Sequence, residues 1–451
     1  MSRHLIVLVL SLLARSALAL GPHELLVLAN RNSSNSLDLA RQYAILRRVP
    51  EINIVALDLP ANSEIGVSPE TFSRRIWGPA QAAVKERGLG DHIRAWVYST
   101  DFPVRIQTDP PLSIQGLTFL RNQLPGGDIV SKGAYASPLF AGPDNPRIAG
   151  FPAQSLDVPA AWLGQDMPLP SMMLGVTGPN GNTKEEILAC LRRGAQADGT
   201  RPAGTIYFVT NSDVRSRCRE WQFAPAVREL QEQGLAAILT NSLPDTATDI
   251  LGAMLGAAEV PMRSERTFLP GAMAEHLTSF GASFDSREQT KITEWIRAGA
   301  SASAGTVTEP YSLWTKFPHA RFYAHWAAGC TTLESFYQSL RCPLQILLVG
   351  DPLAAPWAPG STLSLRGLES GTLQGTVTAE VRVNSRNNET FSRFVFLLDG
   401  KTLRNPSKDP TVRLDAAALK PGVHALRAVA FAVGSVHAQI FTEQPFVVGR
   451  E

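Results

Sequence analysis

Cysteine is scarce in this chain, four in 451 residues, which is too few to build a disulfide scaffold. Charge of one sign is lacking too. Lys+Arg 42 against Asp+Glu 40 leaves +2, so no strong field steers the chain to nucleic acid or to an acidic membrane surface. Beyond the N-terminus, no uncharged apolar run approaches the ~20 residues that span a bilayer. Also absent are a Gly-x-Gly-x-x-Gly after a strand, a phosphate loop, a Gly-x-Ser-x-Gly elbow and a paired-His metal motif. No metal and no cofactor is therefore expected. Core material is ample. The chain is 44% hydrophobic and 18% charged, too apolar for disorder, and its length predicts two to four domains.

The first twenty residues have the pattern of an export signal. Arg3 and His4 make a short polar start, Leu5 to Leu13 an apolar run broken only by Ser11, and Ala17-Leu18-Ala19 a small-x-small cleavage pattern. Residues 1–19 are expected to be removed, leaving a soluble chain in the periplasm or outside the cell. The polar end Val448-Gly449-Arg450-Glu451 offers no anchor. In that oxidising setting Cys330 and Cys342 flank a helix and would stand roughly 18 Å apart, beyond bridging distance. Cys190 and Cys218 lie on separate predicted elements, and a bridge between them stays open.

From Glu24 to Tyr98 the pattern alternates strand and helix. Leu25-Leu26-Val27-Leu28-Ala29 is a continuous apolar run, as in a strand covered on both faces. A helix from about Ser36, the strand Ile52 to Leu57, a helix from Ser68-Pro69-Glu70 to Gly88 and the strand Ile93 to Tyr98 follow. Residues 101–170 are dense in Pro and Gly and carry no helical period, which marks an irregular excursion. Alternation then resumes. Strands are expected at Met172 to Val176, Thr205 to Val209, Ala236 to Thr240, Ala300 to Val307 and Gln345 to Val349, with helices at 183–197, 224–233, 289–298 and 331–340. Leu251 to Ala258 reads only as a Gly/Ala-rich stretch leading into Gly271 to Gly281. The fold class is α/β, a mostly parallel sheet with flanking helices over residues 20–358. Residues 361–451 differ. Val377, Ala379, Val381 and Val383 alternate with polar residues, and Phe394 to Leu398 runs into the turn pair Asp399-Gly400, which predicts a small immunoglobulin-like β-sandwich.

Several residues could carry chemistry. His276 stands near a predicted strand end beside Glu275, Thr278 and Ser279, where a histidine serves as general base or as a hydrogen-bonded structural group. Asp101 and Arg105 follow the strand Ala95 to Tyr98, and Asn30 opens the polar turn after the first strand. Ligands of open α/β sheets bind beyond such carboxyl ends, although an ion pair holding the loop would also explain Asp101 and Arg105. Arg215, Arg217 and Arg219 alternate as if on one strand face, giving either an anion-binding edge or a solvated face. Gly178 to Thr183 reads as a turn, and His319 and His325 as surface residues.

Three segments carry a resemblance: Leu28 to Ser33, Ala274 to Gly281, and Ala304 to Pro310 through Gly350-Asp351-Pro352. On these the chain resembles an exported bacterial family found in genomes with PEP-CTERM/exosortase sorting systems, over roughly residues 24–358. The order of segments is also distantly similar to gingipain-type cysteine peptidases of the caspase-like, three-layer fold. The resemblance implies a small-residue strand, a Gly-Asp-Pro near the end of the catalytic domain and an immunoglobulin-like domain after it. It also implies a His-Gly at one strand end and a Cys at the next. Here Leu255-Gly256 and Thr278-Ser279 stand at those positions, so the thiolate and its activating imidazole are missing.

Three readings follow. The first is a non-catalytic gingipain-like scaffold that binds an envelope protein or polymer. The second is a hydrolase, peptidase or esterase, with Ser279 or Thr278 as nucleophile and His276, Asp101 or Glu309 assisting. The third is an envelope- or carbohydrate-binding protein acting through the sandwich, although its exposed face shows no aromatic row.

Overall fold

The computed structural model describes residues 19–61, 64–143, 153–358, 360–368, 372–386, 389–434 and 436–449. Ala19 apart, the expected export segment lies outside the described residues. Ten strands form one sheet: β1 (Leu25–Asn30), β2 (Ile54–Leu57), β3 (Ala95–Tyr98), β4 (Ser171–Met173), β5 (Thr205–Val209), β6 (Ala236–Thr240), β7 (Ile250–Gly256), β8 (Phe268–Leu277), β9 (Ala302–Thr306) and β10 (Ile346–Gly350). Their order across the sheet is β2-β1-β3-β4-β10-β9-β8-β7-β5-β6. Pairing is mostly parallel, and β10 runs antiparallel to β9. Parallel strands are covered on both faces, and β1 shows it residue by residue. Leu25, Val27 and Ala29 enter one core while Leu26 and Leu28 enter the other.

The helices are set by their caps. In α1 (Ser34–Arg47), Ser33 Oγ accepts the Ser36 amide at 3.0 Å, and Arg48 ends the helix in a left-handed conformation. The start therefore precedes Ser36 by two residues. The segment from Ser68 is capped as expected, widens into a π-turn at Ser73–Trp77, continues as α2 (Gly78–Arg87) and stops at Gly88. Thr183 caps α4 (Lys184–Ala197) through a reciprocal bond with Glu186, and Thr331 does the same for α8 (Thr332–Ser339) with Glu334. Between them, in chain order, lie α5 (Val214–Arg217), α6 (Phe223–Glu232), α7 (Ile292–Ala298) and a short helix at Phe322–Ala327. The excursion after residue 101 is less irregular than its composition suggests. It holds α3 (Ile114–Phe119) and short helices at Gly127–Ser131 and Asp157–Leu163.

β7 was not expected as a strand. Its glycine makes the packing possible, because a Cβ on Gly252 would lie 2.4 Å from the Tyr323 ring. That ring crosses the strand to donate its hydroxyl to the Met273 carbonyl at 3.0 Å.

The architecture changes between Gly350 and Thr362. Beyond that point are β11 (Thr362–Arg366), β12 (Thr376–Asn384), β13 (Phe391–Leu398), β14 (Lys401–Ser407), β15 (Thr411–Asp415), β16 (Gly422–Ala432) and β17 (Gln439–Val448). They form two sheets around one apolar core, the antiparallel β11-β12-β15 against β17-β16-β13-β14, the latter antiparallel except at its edge, where Thr372–Leu373 pairs with β17 in parallel. Asp399 and Gly400, both at positive φ, close the hairpin between β13 and β14, as an Asp-Gly turn should.

Two corrections concern charged and polar side chains. Arg215, Arg217 and Arg219 do not share a strand face. The first two lie on α5, and Arg219 is wholly buried with Nη1 2.6 Å from Glu275 Oε1. His319 and His325 are not surface residues either. Both are buried, and burial lowers each to a pKa of about 3.

Candidate functional site

Loop contacts show which strand ends share a rim. Asn180 Nδ2 reaches the Phe284 carbonyl at 2.9 Å, Asn182 Nδ2 the Thr293 carbonyl at 3.0 Å, and Arg105 Nη2 the Asp285 carboxylate at 2.7 Å. The loops after β3, β4 and β8 therefore meet on one rim. At the opposite end of the body, Arg47 at the close of α1 holds Asp198, just past α4, and Asp351, just past β10. The Gly350-Asp351-Pro352 motif thus ties the last strand to the first helix, away from the rim.

On the rim, β2 lies to one side of β1 and β3 to the other, the kind of switch point where open α/β sheets hold ligands. Asp101 sits there at φ 59°, a conformation uncommon outside glycine. One of its carboxylate oxygens accepts from Ser33 Oγ and the other from Thr177 Oγ1. The Thr177 hydroxyl also lies 2.9 Å from that of Thr100. Asn30 is fully buried beneath, its Nδ2 donating to the carbonyls of Pro60 at 2.8 Å and Asp101 at 3.1 Å. Asn30 and Asp101 therefore meet, whereas Arg105 leaves them for Asp285.

Thr177 links this cluster to a hollow of about 520 Å³ bordered by Asn35, Gly178, Asn182, Lys184 and Glu185. Lys184 is paired with Asp38 at 2.9 Å, and the amides of Thr183 and Glu186 are taken by their reciprocal cap. Of the two charged residues that border the hollow, Lys184 is neutralised by Asp38 and Glu185 is left over. The hollow suits a neutral or cationic polar group rather than an anion. Ser33 and Thr177 were not singled out as site residues, although Ser33 carries a helix-start signal and Thr177 follows a strand.

The second half of the rim is filled by packing. A side chain at Gly256 would meet the Arg215 backbone at 2.2 Å. His276 is buried on the α7 side of β8. The indole N–H of Trp295 donates to its Nδ1 at 2.9 Å, and its Nε2–H donates to the Thr290 carbonyl at 3.0 Å. Burial lowers its pKa to about 3, so the ring is neutral with both nitrogens engaged. Thr278 Oγ1 donates to Gln289 Oε1 at 2.6 Å. The carbonyls of Thr278 and Ser279 each accept from Thr306 Oγ1 at 3.0 Å. Glu309 is exposed and accepts the Tyr311 amide at 2.7 Å. The structure does not bring His276, Ser279 and Glu309 into one hydrogen-bonded chain.

All four cysteines are free, so Cys190 and Cys218 do not pair. Burial raises every thiol, Cys190 to about 12 and Cys342 to about 11. Among the described residues no thiol has an imidazole partner, no His/Cys/Asp/Glu group could hold a metal ion, and no helix is long and apolar enough to cross a membrane.

No family profile and no curated protein matches the chain. Among solved structures it is similar to the fibronectin(III)-like modules of CbhA from Clostridium thermocellum, at 15% identity over 20% of this chain and 97% of that one, with a TM-score of 0.17. The PKD1 domain of the Vibrio cholerae metalloprotease PrtV matches at 11% identity over 20% and 95%, TM-score 0.15. An endo-beta-1,4-mannanase from Thermotoga petrophila matches at 11% over 59% and 50%, TM-score 0.17.

Proposed function

We propose that this chain is an exported binding protein of the cell envelope, built on a gingipain-like, caspase-type α/β body that lacks a thiol–imidazole couple and carries an immunoglobulin-like sandwich. The small-residue strand β9, the Gly350-Asp351-Pro352 that closes β10 and the sandwich after it stand in the order the resemblance implies, which supports the caspase-type reading. One observation carries the non-catalytic reading. At the ends of β7 and β8, where nucleophile and base would stand, Gly256 is roofed by the Arg215 backbone and His276 has no free nitrogen. A general base must reach the proton it removes, and this ring cannot.

Recognition is assigned to the Asp101–Thr177 hollow, and the ligand to a neutral or cationic polar group, such as the amine or hydroxyl of a peptide or glycan. The test titrates the purified protein with basic peptides and amino sugars, and screens it against fluorogenic peptides and esters with His276→Ala as control. Saturable binding weakened about tenfold by Asp101→Asn, the loss of one hydrogen bond to a charged group, is the expected result. Turnover by the wild-type protein that is abolished in His276→Ala shown by circular dichroism to be folded would overturn the reading.

A further inference from the structure

Where the sandwich meets the α/β body, a knot of buried polar groups surrounds the start of the described chain. Ala19, Leu20, His23, Glu24 and Gln439 are all at most 4% exposed. Glu24 Oε2 accepts the Gly21 amide at 2.7 Å and Gln439 Nε2 at 2.7 Å. The same Gln439 nitrogen donates to the Ala19 carbonyl at 3.0 Å. This fixes the amide's orientation and turns Gln439 Oε1 toward Gly21, 2.5 Å from where a Cβ on that glycine would be, with His23 Nδ1 at 2.8 Å from the same point. Neither acceptor has a donor. Among the described residues no Lys or Arg nitrogen lies within ion-pair distance of Glu24, whose pKa burial raises to about 8. A buried orphan acceptor costs about 1–3 kcal/mol, and here there are two beside a carboxyl that has hydrogen bonds but no ion pair.

We propose that these acceptors form the seat of a processed N-terminus, the α-ammonium of Leu20, which binds Glu24, Gln439 Oε1 and His23 Nδ1 and locks the sandwich to the α/β body. The proposal rests on the export reading, with cleavage after Ala19. Hydrolysis of the Ala19–Leu20 bond places water's hydroxyl on the Ala19 carbonyl and its proton on the Leu20 nitrogen. The peptide ending in Ala19 departs, and the new amine takes up a further proton. One amide N–H becomes three ammonium N–H donors, which matches three acceptors. Arg94 acts on Glu24 only from beyond ion-pair distance, so the ammonium gives this buried carboxyl its direct partner and favours its ionised form. Gln439 Nε2 loses the Ala19 carbonyl and keeps Glu24. Because Ala19 and Leu20 are buried once the domains dock, cleavage must precede docking. The seat therefore discriminates a processed chain from an unprocessed one.

N-terminal sequencing of the exported protein separates the two premises. A chain beginning anywhere but Leu20 overturns the proposal through its processing step. The docking step is read on mature protein with an authentic Leu20 terminus. Its α-amine should react with an amine-labelling reagent at least about 100-fold more slowly folded than in denaturant, as for a group exposed only by opening of the structure. The same protein retaining Ala17-Leu18-Ala19 should unfold at a lower temperature, and Glu24→Gln should shrink that difference. An amine that labels as fast folded as unfolded, or an unfolding gap unchanged by Glu24→Gln, would overturn it.

Discussion

Replacing Arg47 by methionine should unfasten the body at the end opposite the rim. The guanidinium is buried, with Nε donating to Asp351 Oδ2 at 2.9 Å and Oδ1 at 3.2 Å, Nη2 paired with Asp351 and Nη1 with Asp198. Tyr43 Oη adds a bond to Asp351 at 3.3 Å, and the Leu353 amide donates to Asp351 Oδ1 at 3.1 Å. Methionine fills much of the volume but leaves two carboxyls facing each other without a cation. Removing one partner of a buried ion pair costs about 3–5 kcal/mol. At about 2.1 cal/mol/K of unfolding entropy per residue, a body of this size should lose about 4–7 °C in Tm. The loss should depend on pH. Burial raises Asp198 to about 6 even with Arg47 pulling it down; without Arg47 it rises further, and protonation relieves the repulsion. The Tm deficit is therefore largest near pH 8 and shrinks toward pH 5, and Asp198→Asn in the same background recovers part of it. Thermal unfolding followed by near-UV circular dichroism reads both effects. Arg47→Met curves that overlay wild type at about pH 8, or a deficit equal at both pH values, would refute the argument.

Arg219→Met should cost about 3–5 kcal/mol by stranding Glu275, while Arg219→Met with Glu275→Leu should cost much less; a double-mutant cycle in denaturant measures the difference. Ser33→Ala removes the α1 cap and a hydroxyl donor to Asp101, and should lower stability by about 1 kcal/mol in urea unfolding. His276→Ala should destabilise by about 2–5 kcal/mol, because the Trp295 indole and the Thr290 carbonyl both lose a buried partner; equal stability would mean water replaces the ring. Burial raises Glu275 and Glu334 to about 7, so the stability they contribute below pH 4.5 is lost as pH rises through that value. Burial lowers His276, His319 and His325 to about 3, so their contribution, full above pH 6.5, is lost as pH falls. Tm measured across pH should peak between about 4.5 and 6.5.

Much of the architecture was legible because burial on both sheet faces leaves unbroken apolar runs. Leu25 to Ala29, Thr205 to Val209 and the strand ending at Val349 are such runs, and the alternation at Val377 to Val383 marked the sandwich. β7 escaped because Ile250 to Gly256 spends two of its positions on glycines that admit Tyr323 and the Arg215 backbone. Composition alone cannot distinguish a close approach from a loop. The arginines at 215, 217 and 219 misled for the opposite reason. A period of two looks like a strand, yet one helical turn that breaks at Cys218 sends the last guanidinium into the core toward Glu275, a partner 56 positions away.

His276 shows where reading along a chain stops being informative about chemistry. Its place near the end of β8 was visible in the sequence, and that place is at the rim. Position along a strand sets depth, however, and parity sets the face. Ala272, Ala274 and His276 share one parity and turn into the core beneath Trp295, whereas Met273 and Glu275 take the other and meet Tyr323 and Arg219. In a strand covered on both sides neither parity opens to solvent, so only residues past the last ladder pair can offer a free group. Asp101 lies three positions past Tyr98 and keeps partial exposure. His276 lies one position before Leu277 and keeps none. A ligand arriving at this rim therefore meets the hydroxyl-held carboxylate of Asp101 and never the imidazole.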